Sequence, residues 1–177
     1  MSARDFSQEF QDLLAHSEAP AEVWSSRLGR TANQQVMRDW LSRAKLWKLF
    51  VTLTFRDPIP PEPAFNIWRR LVRLLNERSF GKHYTRIVHH SYFSYVLGIE
   101  YQRRDVVHFH ALVDKPLNFD LVHRWWQRAA GYAWIEPIEK YQEAIRYVTK
   151  YVTKGGELKV FFSKTERVPK PLPTWWR

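Results

Sequence analysis

Two consecutive segments of alternating apolar and polar residues constrain this chain most, because such alternation is typical of paired β-strands. The segments Tyr92–Tyr101 and Val106–Val113 are rich in aromatic and β-branched residues, and the short polar segment Gln102–Asp105 separates them. We therefore predict an antiparallel hairpin. A slip of one residue would turn every side chain to the other face of the sheet, so the pattern also predicts the register.

This register brings three side chains with metal-binding chemistry together. Glu100 and His108 are equidistant from Arg104, so they become cross-strand neighbours in a hairpin centred there. His108 and His110 are separated by one residue and project to the same face. Two imidazoles beside a carboxylate predict a metal site with vacant positions. The alternative is that the histidines are ordinary surface residues of a half-exposed sheet.

A second pattern places two phenols beside two ammonium groups. The segment Tyr141–Lys154 has helical spacing and is followed by two glycines, a typical helix stop. Tyr147 and Tyr151 lie one turn apart, with Lys150 and Lys154 beside them and away from the apolar stripe. A phenol next to lysines ionises more readily and can act as a nucleophile. The alternative is an amphipathic helix with a solvated Lys/Tyr face.

Three motifs occur in order along the chain. They are Phe50-Val-Thr-Leu-Thr-Phe55, His108-Phe109-His110 and Tyr147-Val-Thr-Lys-Tyr-Val-Thr-Lys154. In this order, with Glu100 eight residues before His108, they resemble the HUH endonuclease superfamily, in particular the two-tyrosine rolling-circle replication initiators of phages and plasmids. The resemblance spans roughly residues 49 to 156.

The resemblance implies a metal-dependent nickase and strand transferase acting on single-stranded DNA. Glu100, His108 and His110 would hold Mg²⁺ or Mn²⁺, with zinc as a minor alternative. A tyrosine would attack a phosphate at the replication origin, leaving a free 3′-hydroxyl and a 5′-phosphotyrosine link. The second tyrosine would attack a second phosphate and terminate the replication round. Lys150 and Lys154 would stabilise the ionised phenols or hold the phosphate.

Two other interpretations stay open from the residues. A transposase or relaxase would use the same ligands and nucleophiles on a different DNA. A non-catalytic RRM-like nucleic-acid-binding module would instead place aromatic side chains on the exposed sheet face. We expect that face to present Glu100, His108 and His110, which favours catalysis.

The composition favours a DNA-binding protein. Lys and Arg number 28 against 18 Asp and Glu, a formal net charge of +10, which favours binding to a polyanion. Thr52 and Thr54 on the predicted sheet face, with Arg103 and Arg104 in the hairpin loop, are candidate DNA contacts. We expect single-stranded or hairpin origin DNA as the partner. A host helicase is a further expected partner, because the sequence contains no Walker A motif.

Cysteine is absent, which excludes disulfides and Cys-ligated zinc and is compatible with the cytoplasm of a bacterial host. The sequence shows no secretory signal and no apolar run near the ~20 residues of a membrane span, so we expect no membrane association.

The order of elements predicts an α+β fold, with an antiparallel sheet covered by helices on one face. The resemblance implies a ferredoxin- or RRM-like sheet. We predict an N-terminal helical extension over residues 1–48, packed on the core, an endonuclease domain over 49–163 and a Pro-rich tail over 164–177. The predicted elements after the first strand are a loop over Asp57–Pro63, a helix closed near Gly81, the hairpin, a helix closed by Gly131, a strand over Tyr132–Ile138, the tyrosine helix and a strand over Leu158–Phe162.

Overall fold

An open antiparallel sheet forms the centre of the molecule. The computed structural model describes residues 27–84, 92–101, 106–150 and 157–161. The strands are β1 (Leu49–Phe55), β2 (Tyr95–Tyr101), β3 (Val107–Val113), β4 (Gly131–Pro137) and β5 (Glu157–Phe161). The helices of the described ranges are α1 (Arg27–Ala44), α2 (Pro61–Phe80), α3 (Phe119–Ala129) and α4 (Tyr141–Thr149). The strand order is β4-β1-β3-β2-β5, and the predicted α+β class is confirmed.

The predicted hairpin register is confirmed. Strands β2 and β3 pair antiparallel, and Glu100 lies opposite His108. On its other side β3 pairs with β1, which puts Thr52 opposite His110 and Thr54 opposite His108. The alternation of side chains therefore holds across three neighbouring strands, and the site residues share one face.

One face of the sheet packs against α2 and α3. Alternate residues of the central strands are fully buried there, including Leu53, Ile99 and Phe109. Trp68 from α2 and Trp126 from α3 pack into the same cluster. The indole of Trp126 also donates a hydrogen bond to the carbonyl of Thr54 at 3.0 Å, which ties α3 to β1.

The other face is also covered, so the expectation of helices on one face is wrong. Val96 and Leu112 turn away from the first core and pack with Trp40 of α1 and with Ile145 and Val148 of α4. The alternation of apolar and polar residues predicted a polar second face of the sheet. That prediction rested on the polar residues of this face, which cluster at one end of β2 and β3. The buried aliphatic residues at the other end instead require a second helical layer, which α1 and α4 provide.

Helix α2 begins inside the predicted loop. The loop was expected over residues 57–63, but the helix starts at Pro61, after Pro60 in an extended conformation at the N-cap. Proline is well suited to the first helical turn, because its missing N–H is one that the helix leaves unbonded there anyway. The helix ends before Gly81, whose φ of 88° favours glycine.

The predicted bounds of β4 and β5 agree to within one residue, whereas β2 begins at Tyr95, three residues after its predicted start at Tyr92. Helix α4 ends at Thr149 with Lys150 as its C-cap. The rest of the predicted tyrosine helix, the hairpin loop, residues 1–26 and the tail from 162 lie outside the described residues, so the domain boundaries stay predictions. Within the described ranges, every helix is too short or too polar to cross a membrane.

Candidate metal and nucleophile site

His110 and Glu100 form the centre of the candidate site. His110 is buried, with 6% of its surface exposed, whereas Glu100 is partly open to solvent. The Nε2 atom of His110 lies 3.3 Å from Oε2 of Glu100. On the other side of the ring, Nδ1 lies 3.2 Å from the hydroxyl of Thr52. Because a hydroxyl can donate or accept, Thr52 can orient the imidazole in either tautomer.

The donor set is compatible with a divalent ion. Two ligand atoms about 2.1 Å from one ion, at angles of about 90–109°, lie about 3.0–3.4 Å apart. The separation of His110 Nε2 and Glu100 Oε2 falls in that range. In the part of the chain that the structure describes, however, no three His, Cys, Asp or Glu side chains are already gathered as a ligand group. His108 lies directly opposite Glu100 in the strand register, so its side chain projects from the same face of the sheet.

Both imidazoles are held towards their neutral form, which is the form that binds metals. Burial lowers the pKa of His110 to about 4, although the neighbouring Glu100 carboxylate partly opposes this shift. Burial also lowers the pKa of His108, again against the attraction of Glu100. Neither ring therefore needs to lose a proton before it can coordinate an ion at neutral pH.

Tyr147 lies beside this centre on α4. Its ring centroid is 5.0 Å from that of His110 in an edge-to-face arrangement, and 40% of the residue is exposed. The ammonium of Lys150 lies over the Tyr147 ring, 3.5 Å from its centroid, and 3.9 Å from Oε1 of Glu100. Lys150 thus contacts both the aromatic ring of Tyr147 and the carboxylate of Glu100.

The remaining predicted site residues divide into two groups. Tyr151, Lys154, Arg103 and Arg104 lie outside the described residues. Thr52 and Thr54 lie on the site face as expected, and both hydroxyls are engaged: that of Thr52 with His110, and that of Thr54 with the carbonyl of Tyr132 at 3.3 Å.

Three aromatic residues at the site were missed in the sequence. Phe50 packs against both His110 and Tyr147, with ring centroids 5.9 and 5.5 Å apart. Tyr132 and Trp134 lie exposed on β4, on the same face. The face therefore presents aromatic rings as well as the candidate ligands, and the expectation that it presents the ligands instead of aromatics is corrected. The alternation of Tyr132 and Trp134 with apolar residues of β4 was the signal that could have found them.

A groove of about 460 Å³ opens next to Tyr147. Phe50, Glu136 and Tyr147 line it, together with residues 137–140 and the first turn of α4. The groove thus leads from the exposed end of β4 to the phenol.

Comparison with known proteins gives the class of the chain. Residues 48–156, well over half of the sequence, match the family described as replication-associated protein ORF2. The class is therefore a replication-associated protein with an α+β fold. The chain belongs to this ORF2 family of replication-associated proteins.

No curated protein matches the sequence. Among solved structures, the chain is similar to the hypothetical protein ORF119 from Sulfolobus islandicus rod-shaped virus 1, with 23% identity and a TM-score of 0.40. The match covers 70% of this chain and 92% of that one.

Proposed function

We propose that this replication-associated protein is a metal-dependent nickase of single-stranded DNA, of the two-tyrosine HUH type, which starts and ends rolling-circle replication. Glu100, His108 and His110 are the proposed ligands of Mg²⁺ or Mn²⁺. Tyr147 and Tyr151 are the proposed nucleophiles. A transposase or relaxase would share this chemistry and differ in the DNA that it cuts.

The observation that carries the proposal is the distance between the phenol and the imidazole. Tyr147 comes from a helix and His110 from a strand 37 positions away, yet their rings are 5.0 Å apart. A tyrosine serving only to pack would be expected among Ile145 and Val148, which are fully buried. Tyr147 instead lies on the rim with substantial exposure, where a DNA phosphate can approach.

The reaction is a transesterification. The Tyr147 oxygen forms a bond to phosphorus, the bond from phosphorus to the 3′-oxygen breaks, and that oxygen takes up a proton as the phenol loses one. When bound, a divalent ion would neutralise charge on the non-bridging phosphate oxygens. His110, fixed by Thr52, and Glu100 would hold the ion. The Lys150 ammonium would attract the negative charge that develops on the phenol.

The test is the formation of a covalent protein–DNA band. The protein is incubated with labelled single-stranded candidate origins and Mn²⁺ or Mg²⁺, and the products are separated under denaturing conditions. We expect an adduct that chelator abolishes and that the double variant Tyr147→Phe, Tyr151→Phe cannot form. The two single variants then show which phenol cuts first.

Tyr141→Phe is the matched control, because Tyr141 begins the same helix but donates its hydroxyl to the carbonyl of Lys45. This variant should form the adduct at the wild-type level. An adduct that persists in the double variant would contradict the assignment of the nucleophiles. An adduct formed equally well in chelator would contradict the metal site.

A further inference from the structure

Tyr132 and Trp134 are the two most exposed aromatic residues among those that the structure describes, with 59% and 51% of their surfaces open. They are two residues apart on β4, so their side chains project from the same face about 6.7 Å apart along the strand. Neighbouring exposed rings form an apolar patch, and such patches commonly mark binding sites.

The strand register places both rings in line with the candidate site. Trp134 lies opposite Thr52, which lies opposite His110 on the next strand. Tyr132 lies opposite Thr54, which in turn lies opposite His108. Each exposed ring is therefore two strands away from one of the candidate ligands, on the same surface, and β4 is the edge strand of the sheet on that side.

Local contacts hold this surface in place. The indole N–H of Trp134 donates to Oε2 of Glu136 at 3.1 Å, which restricts the ring orientation. Glu136 also lines the groove that leads to Phe50 and Tyr147. Trp134 therefore adjoins the groove through Glu136, and the groove in turn borders Tyr147.

The chemistry of this surface suits nucleobases better than the phosphate backbone. Neither ring carries a positive charge for a phosphate, and Glu136 would repel one. Unpaired bases stack on aromatic side chains without regard to sequence, since every base has a π-face. The spacing of about 6.7 Å exceeds the roughly 3.4 Å rise between stacked bases, so each ring can serve a separate, unstacked base.

We propose that Tyr132 and Trp134 form a stacking platform for unpaired bases of the DNA strand that is cut at Tyr147. The platform would bind the strand next to the scissile phosphate and select single-stranded over double-stranded DNA. The identity of that strand as substrate rests on the proposed function, whereas the platform itself requires no cleavage.

The experiment measures binding alone, in chelator and in the Tyr147→Phe background, by fluorescence anisotropy with labelled single-stranded oligothymidine. Tyr132→Ala combined with Trp134→Ala should weaken binding by about 25-fold or more, because each of the two lost stacking contacts has an effect of about five-fold or more. Trp134→Phe should retain most of the affinity. The slope of affinity against salt should stay unchanged, since no phosphate contact is removed.

A second oligonucleotide with the same phosphates but abasic sugars isolates the stacking. The protein with both rings should bind it more weakly than oligothymidine, and the double alanine variant should bind the two equally. Phe119→Ala is the matched control, because Phe119 is an exposed aromatic residue on α3, which packs against the opposite face.

Three results would overturn the platform. The first is unchanged affinity in the double alanine variant, and the second is an equal loss in Phe119→Ala. The third is a change of oligomeric state in place of a change in binding, which would make the aromatic surface a contact between copies of the chain. Failure of the covalent adduct assay would instead overturn the proposed function and leave these binding results intact.

Discussion

At the scale of single residues, the site depends on how His110 is held. Its imidazole is fixed from both sides, by Thr52 at Nδ1 and by Glu100 at Nε2, and Phe50 and Tyr147 pack against its ring. A buried ring with both nitrogens engaged loses little freedom when it binds an ion, and partners of this kind commonly tune metal affinity.

Thr52→Val is expected to weaken Mn²⁺ binding by about 10- to 100-fold, because the valine cannot hydrogen bond Nδ1 and the ring loses its orientation. Calorimetric titration with Mn²⁺ measures this directly. Thr54→Val is the matched control on the same strand and face, since the Thr54 hydroxyl donates to the backbone of Tyr132. Equal affinities in the two variants would contradict the role given to Thr52.

The stability of the metal-free protein should fall in mild acid because of His110. Its pKa is about 4 in the folded chain, below the value near 6.5 expected when unfolded. The unfolded chain therefore takes up the proton first, so the contribution to stability is present above pH 6.5 and is lost as the pH falls towards 4. Between about pH 7 and pH 5 we expect a loss of about 2 kcal/mol from this group.

Urea unfolding in chelator at the two pH values checks this, with His110→Gln as the comparison. The variant lacks the imidazole, so its free energy of unfolding should fall by about 2 kcal/mol less than that of the wild type between about pH 7 and pH 5. The same loss in both proteins would show that the imidazole is not held neutral by burial.

The candidate ligands could be predicted from the sequence because the relevant pattern is local. Period-two alternation and a short loop suffice to bring Glu100 opposite His108. The exposed rings of Tyr132 and Trp134 could not be placed on the same face in that way. Their position depends on β4 pairing with β1, a contact between strands about 80 residues apart along the chain, and no local periodicity encodes strand order.

At the scale of elements, the close approach of β4 to β1 depends on Gly131. A Cβ at this position would lie 2.3 Å from the carbonyl oxygen of Thr54 and 2.8 Å from the amide nitrogen of Arg56. Both are backbone atoms, so neither can rotate away. The glycine that the sequence marks as the end of a helix is thus also the first residue of a strand.

Gly131→Ala should lower the free energy of unfolding by about 1–3 kcal/mol, because the strands must separate to accept the methyl group. Hydrogen exchange should show lost protection in β4 and the facing part of β1. Gly81→Ala serves as the comparison, since it strains a positive φ at the end of α2 in open space and should leave β4 protected. Unchanged protection of β4 in Gly131→Ala would contradict this account.

The sequence predicted the type of each element better than it predicted which faces of the sheet the helices cover. The spacing of Phe65, Trp68 and Leu71 is sufficient to predict α2, but its start at Pro61 depends on helix-end chemistry that a run of prolines obscures. The second helical layer depends on Val96 and Leu112. In the sequence they interrupt a polar face, and only the structure shows that α4 covers them.

At the scale of the whole molecule, a buried ion pair joins the second helical layer to the sheet. The ammonium of Lys45, just after α1, lies 2.8 Å from Oδ2 of Asp114, just after β3. Asp114 also accepts a hydrogen bond from the backbone of Ser94, before β2. The backbone carbonyl of Lys45 also accepts a hydrogen bond from the hydroxyl of Tyr141 at the start of α4.

Asp114→Asn should therefore lower stability by about 3 kcal/mol, because it leaves the ammonium of Lys45 without its counter-charge. Lys115→Met is the control: Lys115 also contacts Asp114, at 3.2 Å, but is more exposed. The loss of that contact should lower stability by less than about 1 kcal/mol. Urea denaturation of both variants measures the two losses of stability. A smaller loss in Asp114→Asn than in Lys115→Met would contradict the structural role of the buried pair.

Composition indicates a polyanionic partner at this scale, with a net charge of +10, and the family match agrees with a role in replication. Composition could not indicate which surface of the molecule the DNA strand would follow. The sheet brings the candidate ligands, the phenol of Tyr147 and the aromatic edge to one surface, which is the surface that we propose for the DNA.

The most direct measurement is tandem mass spectrometry of the adduct formed with a single-stranded origin oligonucleotide and Mn²⁺. After a digestion that keeps Tyr147 and Tyr151 in one peptide, we expect a 5′-phosphonucleotide on the phenolic oxygen of one of them. A nucleotide attached to any other side chain, or none at all after incubation with cleavable strands, would contradict it.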